Sequence, residues 1–158
     1  MPVVQNVFPT RQDAYIAGMA TKSRYHSDTG VIETAGGVPF GAPVMRGTVE
    51  GAIALFAAGA GAFLGIAKLD HGTRGTGAAG ASNGYAARVP AAYFKGADGV
   101  AVVCDLAITL AMIDTQVRYN TATGRFTNAA ASGTVLDCTG WTFDSVTTAA
   151  GQLVVIKR

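Results

Sequence analysis

The sequence predicts an all-β fold: one jelly-roll-like β-sandwich or barrel with an extended N-terminal arm and a long loop rich in glycine and alanine. From residue 31 onward, apolar residues come in short runs separated by glycine-rich turns, as in sandwiches and barrels. Two of these runs, Phe40-Gly41-Ala42-Pro43-Val44 and Phe63-Leu64-Gly65-Ile66-Ala67, place glycine among apolar residues, which suits a strand that bends close to another backbone. A chain of 158 residues is long enough to bury one core.

The first thirty residues differ from the rest. Pro2 and Pro9 interrupt the apolar residues at the start and disfavour a regular helix there. Residues 14–20 suit either a strand or a short helix, and residues 21–30 are polar and turn-like. We therefore predict an arm over residues 1–30 and one β-domain over residues 31–158.

Short strands are predicted along the whole body of the chain. The clearest hairpin joins residues 117–119 to residues 125–127, because Asn120 can start a turn and Gly124 can adopt a positive φ. The predicted strands are 31–34, 42–46, 52–56, 63–68, 100–104, 108–113, 116–119, 125–127, 134–136, 141–143 and 153–156.

A helix competes with a strand in one segment, residues 105–113. Asp105 could cap a helix, but Leu106, Ile108, Leu110 and Met112 alternate with a period of two. That alternation favours a strand over residues 108–113.

Residues 70–90 contain almost no large apolar side chain and predict a long surface loop. Within it, Gly75-Thr76-Gly77-Ala78-Ala79-Gly80 matches the dinucleotide-binding fingerprint. That fingerprint works only between a strand and a helix, which align backbone amides on a pyrophosphate. Polar turn residues precede it and Ser82-Asn83-Gly84 follows it, so we expect no bound cofactor.

Composition limits the classes of partner. The chain is 49% hydrophobic but only 14% charged, which indicates self-association or a large partner; alternatively, alanine and glycine simply dilute the charged residues. The net charge of +2 is scattered, so we expect no nucleic-acid binding. Four glycines interrupt the apolar stretch 49–67, so we expect no membrane span, and the start lacks a secretory leader pattern, which favours synthesis in a reducing cytosol.

No pattern of catalytic or metal-binding residues stands out, so we expect neither an enzyme nor a metal site. The neighbouring pairs His26 with Asp28 and His71 with Asp70 lack a nucleophile on a rigid turn, and the flexible loop that carries Ser82 cannot supply one. Cys104 and Cys138 are too far apart in the sequence to form a short-spaced pair of metal ligands. Buried free thiols are the favoured interpretation, and a disulfide between the two cysteines is the alternative. A ligand-stacking face is the less favoured interpretation of the aromatic residues, which we expect in the core: Tyr85, Tyr93, Tyr119, Phe126, Trp141 and Phe143.

The order of four motifs resembles the cement (decoration) proteins of tailed-phage capsids. These motifs are Phe40-Gly41-x-Pro43-Val44, then Phe63-Leu64-Gly65-Ile66-Ala67, then Tyr93-x-x-Gly96, then the apolar run 100–103, within residues 36–120. The resemblance implies a structural protein on the exterior of the virion. It implies binding to the assembled, expanded head, where the protein would clamp neighbouring subunits of the major capsid protein as a homodimer or homotrimer.

For such a role, contacts are expected from side chains of the arm and from exposed strand edges that pair with the shell protein. Aromatic residues and arginines dominate the energies of protein interfaces, so the predicted capsid contacts are Phe8, Arg11, Tyr15, Arg24 and Tyr25. The alternative function is a jelly-roll carbohydrate-binding or fibre-accessory module of a virion, whose signature would be a row of exposed aromatic rings.

Overall fold

A computed structural model of the protein describes residues 16–59, 61–70 and 84–158. The all-β prediction is confirmed: these residues form strands and one short 3₁₀ turn, Leu110–Met112. The strands are β1 (Tyr25–Ile32), β2 (Val38–Pro39), β3 (Pro43–Arg46), β4 (Ala52–Leu55), β5 (Phe63–Ala67), β6 (Gly84–Tyr85), β7 (Pro90–Ala97), β8 (Val100–Val103), β9 (Gln116–Asn120), β10 (Arg125–Thr127), β11 (Val135–Phe143) and β12 (Leu153–Lys157).

Five strands close a barrel in the order β1-β4-β3-β5-β7. β1 pairs with β4 in parallel and with β7 antiparallel, and the remaining pairs are antiparallel. Closure gives each barrel strand a partner on both sides, although β1 pairs with β4 only at Val31 and Ile32. The barrel core includes Ile32, Val44, Ile53 and Tyr93.

A second, five-stranded sheet has the order β10-β9-β11-β12-β8. The predicted hairpin is confirmed here, with Phe126 opposite Tyr119. The predicted strands 134–136 and 141–143 are one strand, β11, interrupted by a register shift between Asp137 and Thr142. Gln116 Nε2 donates to the carbonyl of Cys138 at 2.8 Å within this irregularity, so a side chain replaces the missing ladder bond.

The barrel and the second sheet share a core. Phe94 of β7 and Ile66 of β5 belong to barrel strands, yet both are fully buried among residues of the second sheet, including Val100 and Trp141. The two sheets are therefore one packed unit.

Two glycines explain the spacing of this core. A Cβ at Gly65 would lie far inside 3.0 Å of the Phe94 carbonyl oxygen, so only glycine lets β5 approach β7. Gly18 has a φ of +80° and packs on Gly41, where a Cβ would lie 2.7 Å from the Gly41 amide nitrogen. These contacts hold residues 16–24 against the barrel.

The prediction of a strand over residues 108–113 is wrong. Ile108 bonds to Thr147, with its amide donating to Thr147 Oγ1 at 2.9 Å and its carbonyl accepting from the Thr147 amide at 2.9 Å. The chain then turns through Leu110–Met112, where Leu110 is 81% exposed. None of the described strands pairs with these alternating apolar residues, so the pattern does not become a strand.

The turn-like prediction for residues 21–30 is also wrong from Tyr25 onward, where β1 begins. Most of β1 is exposed on its outer face, and pairing with β7 and β4 holds it in place despite its polar sequence. The domain boundary at residue 30 stays a prediction.

The predicted loop 70–90 ends earlier than expected. Residues 84 and 85 form β6, and the hydroxyl of the buried Tyr85 donates to the Lys68 carbonyl at 2.8 Å. The fingerprint at residues 75–80, together with His71 and Ser82, lies outside the described residues.

Candidate functional site

Two of the predicted contact residues lie where the chain enters the barrel. Arg24 and Tyr25 are exposed at the start of β1. Phe8, Arg11 and Tyr15 lie outside the described residues. The contact roles of all five stay predictions.

Tyr25 is the one exposed Phe, Trp or Tyr side chain of the residues that the structure describes. Its ring stands edge-on to Phe94 with 5.3 Å between centroids, and Lys68 Nζ lies 4.6 Å above it. The carbonyl of Arg24 accepts from the Asp98 amide at 3.0 Å. We call Arg24, Tyr25 and Lys68 the entry surface; it combines positive charge with an aromatic ring whose position is fixed by packing.

An ion-pair network ties the segment before the entry surface to the second sheet. Asp144 binds Lys22 Nζ at 2.7 Å and Lys157 Nζ at 2.9 Å, and Lys157 also binds Asp114 at 2.7 Å. Burial alone would raise the pKa of Asp144, but hydrogen bonds from the two lysines bring it below its usual value.

Asp144→Asn is expected to lower the free energy of unfolding by about 1 kcal/mol near neutral pH, because two lysines lose a shared partner. The pKa of Asp144 is lower in the folded protein than its ordinary value of 3.8, so the ionised carboxylate stabilises the fold above pH 3.8. That stabilisation is lost as the pH falls below 3.8, so the difference between Asp144→Asn and the wild type should shrink in acid. Urea unfolding at several pH values measures this. Asp137→Asn, which removes only the exposed pair with Arg118, is the control and should have a smaller effect; equal losses would contradict the network.

Of the neighbouring residues His26 and Asp28, the carboxylate has a lysine partner. Asp28 binds Lys95 Nζ at 2.8 Å, and this contact lowers the pKa of Asp28 and raises that of Lys95. Within residues 16–59, 61–70 and 84–158, no group of three or more His, Cys, Asp or Glu side chains is arranged to hold a metal ion.

The two cysteines are free and buried, so the disulfide alternative is wrong. Cys104 Sγ donates to the Gln152 carbonyl at 3.2 Å. Burial raises the pKa of Cys138, which keeps that thiol protonated and unreactive.

The aromatic residues expected in the core are confirmed there: Tyr85, Tyr93, Tyr119, Phe126, Trp141 and Phe143 are all buried. Buried rings cannot stack on a sugar, so these residues give no support to a carbohydrate-binding face.

Sheet edges are less available for an added strand than the sequence hypothesis assumes. The barrel is closed, and the free side of β8 is bonded to Gly18 and Met19. On the outer side of β10, the Phe126 carbonyl accepts from the Asp105 amide at 2.6 Å. Among the described strands, these contacts leave the outer sides of β8 and β10 less available for an added strand.

Four exposed aliphatic side chains were not singled out from the sequence: Val31, Val49, Leu110 and Val146. The predicted strand that contains Val31 did not say whether its side chain faces the core or the surface. Leu110 was assigned to a strand that does not form. Val49 had a usable signal, because it lies in Gly47-Thr48-Val49-Glu50-Gly51, whose glycines and polar residues mark an exposed turn.

The part of the chain that the structure describes contains no helix long and apolar enough to cross a membrane.

Two comparisons found proteins that are similar to this chain. A family model described as "Structural cement protein (E217 gp24/Pam3 gp6)" matches residues 4–158. A chain from a solved structure described as "The capsid of Myoviridae Phage XM1" is similar with a TM-score of 0.61 at 18% sequence identity, covering 99% of this chain and 97% of that chain. At that identity the likeness shows a shared fold. No curated protein matches this chain significantly.

Proposed function

Because this chain belongs to the family of structural cement proteins of phage capsids, we propose that it binds the outer surface of the assembled, expanded head. There it clamps neighbouring subunits of the major capsid protein and stabilises the shell against internal DNA pressure. The observation that carries the proposal is the family match over nearly the whole chain, supported by the fold shared with a chain of a phage capsid.

The entry surface supports a gripping role for the start of the chain. Residues 1–15 lead into a segment that is fixed on the body: the Leu69 amide donates to the Gly18 carbonyl at 2.7 Å, and the Gly18 amide donates to the Ala101 carbonyl at 2.8 Å. We propose that the contacts come from Phe8, Arg11, Tyr15, Arg24 and Tyr25.

The stabilisation needs no covalent chemistry. A protein that binds the expanded lattice better than the unexpanded one favours expansion by mass action. A homodimer or homotrimer on the capsid would grip several subunits, so that modest contacts add through effective concentration. The low charge of the chain, 14%, fits such self-association. Synthesis in the host cytoplasm before attachment completes the proposal.

Deletion of residues 1–15 is expected to weaken binding to heads at least about 100-fold, the equivalent of roughly 2.7 kcal/mol. The reason is the loss of two aromatic residues and one arginine from the proposed anchor. The measurement is titration of purified heads assembled without this protein, with bound copies counted per head and their position seen in a density map.

The truncation stops at residue 15 because residues 16–24 carry backbone bonds to the body, and a deletion to residue 25 would remove them. An unchanged melting temperature of the truncated protein serves as the control for folding. Normal decoration of heads by the truncated protein would exclude the arm as the anchor, and density on the inner surface would exclude the exterior placement.

A further inference from the structure

Two exposed valines lie in neighbouring segments at the end of the barrel opposite the entry surface. Val31 is 46% exposed near the end of β1, and Val49 is 64% exposed in the turn between β3 and β4. The Val31 amide donates to the Gly51 carbonyl at 3.0 Å, and the Ala52 amide donates to the Val49 carbonyl at 3.1 Å. These bonds join the end of β1 to the turn that carries Val49, so both exposed valines lie at the same end of the barrel.

Two carboxylates flank these valines. Glu33 is exposed two residues after Val31 and so lies on the same face of the chain, and Glu50 is exposed at the tip of the turn. Among the described residues, neither has an ion pair with lysine or arginine, whereas Asp28, Asp114, Asp137 and Asp144 all do. We call Val31, Glu33, Val49 and Glu50 the hairpin-tip surface.

The hairpin-tip surface is held in shape before any partner binds. Glu33 accepts from the Thr48 amide at 2.6 Å and from the Thr48 hydroxyl. These bonds, the side-chain bond first, lower the pKa of Glu33 and keep it ionised. Gly51 has the φ of +75° that this turn requires. A preformed surface loses little conformational entropy on binding.

The charge of the surface selects its partner. An apolar patch beside two carboxylates that have no ion pair within the described part of the chain complements a partner that sets lysine or arginine beside apolar side chains. A two-fold contact with a second copy would instead bring Glu33 and Glu50 close to the same residues of that copy, which is repulsive. A different protein is therefore the better fit.

We propose that the hairpin-tip surface docks on a basic patch, bordered by apolar side chains, of the major capsid protein. This inference rests on the proposed function. β1 has eight residues and spans roughly 25 Å at about 3.3 Å per residue, with the entry surface at its start and the hairpin-tip surface at its end. The two surfaces thus contact different places on the shell, which is the geometry of a clamp across a seam.

The test is Glu50→Lys, titrated on heads assembled without this protein. We expect at least about 10-fold weaker binding, equivalent to roughly 1.4 kcal/mol, because an attractive contact becomes repulsive. Val49→Ser is expected to weaken binding about 3-fold or more through lost apolar area. Added salt should weaken the wild type more than Glu50→Gln, since screening acts on the charge pair.

Matched controls separate this surface from general effects. The double substitution of Thr123 and Ala131 by lysine adds the same two positive charges on exposed loops of the second sheet, and Leu110→Ser removes an exposed apolar side chain there. Both should bind as the wild type does, and the melting temperatures should agree throughout.

Three outcomes would overturn the inference. If the wild type binds heads and Glu50→Lys and Val49→Ser bind equally well, the hairpin-tip surface is not the contact although the proposed function stands. If these variants keep full affinity at low occupancy and lose only cooperativity, the occupant is a second copy. If the wild type itself does not bind, the proposed function fails and the inference fails with it.

Discussion

Gly65→Ala is expected to lower the free energy of unfolding by about 4 kcal/mol, or to prevent folding, because it forces apart two strands of a closed barrel. The added methyl group would overlap the carbonyl oxygen of Phe94, which is backbone and cannot rotate away. Opening this contact also displaces the Phe94 side chain, which is fully buried in the shared core. Thermal unfolding should show a fall in melting temperature of about 10 °C or more.

Gly96→Ala is the matched control. Gly96 lies in β7, two residues beyond Phe94, and a Cβ there would meet nothing within 4 Å. Its replacement should leave the melting temperature almost unchanged, since only the strand's intrinsic preference changes. Similar losses in both variants would mean that the close approach of β5 and β7 is not what requires glycine.

Gly18→Ala is expected to cost about 3 kcal/mol by combining two penalties. A φ of +80° disfavours any residue with a Cβ by about 1–2 kcal/mol. The Cβ would also lie 2.7 Å from both the Ala67 carbonyl oxygen and the Gly41 amide nitrogen, so the backbone would have to move. We expect the segment from residue 16 to residue 24 to loosen from the body.

Hydrogen exchange measures this loosening directly. The Leu69 amide, which donates to the Gly18 carbonyl, and the Ala101 amide, which donates to the Met19 carbonyl, should both exchange faster. Gly59→Ala is the control, because Gly59 has a φ of +73° with nothing within 4 Å of a Cβ. It should show the conformational penalty alone, and an effect as large as that of Gly18→Ala would contradict the packing argument.

The strands that follow strong local patterns were predictable. The predicted strand at Phe63-Leu64-Gly65-Ile66-Ala67 matches β5, because its apolar residues and its glycine are both required where β5 packs closely on β7. β7 was not predicted, since its start, Pro90-Ala91-Ala92, has little intrinsic preference for a strand and depends on β1 and β5 for pairing. Residues 25–30 of β1 were not predicted as a strand for the same reason, because a polar strand is specified by its partners; its last two residues fall within the predicted strand 31–34.

The candidate surfaces were predictable only in part. Tyr25 was selected because an aromatic residue beside arginine is a recognisable interface signal; the structure exposes its ring, and its contact role stays a prediction. Val31 and Glu33 were not grouped with Val49 and Glu50, because the parallel pairing of β1 with β4 brings them together and leaves no pattern in the sequence. Leu110 was assigned to a strand because alternation cannot reveal whether a neighbouring strand exists.

β12 lies between β8 and β11, so the second sheet can be completed only after the last residues of the chain have been made. While the ribosome is still adding residues after Phe143, β8 and β11 have no strand between them, and their unsatisfied backbones can recruit other nascent chains. We expect this exposure to end once residue 157 has been added and β12 can pair with both strands. Interrupted synthesis would therefore yield aggregates for proteases to remove rather than partial molecules that compete for places on the particle.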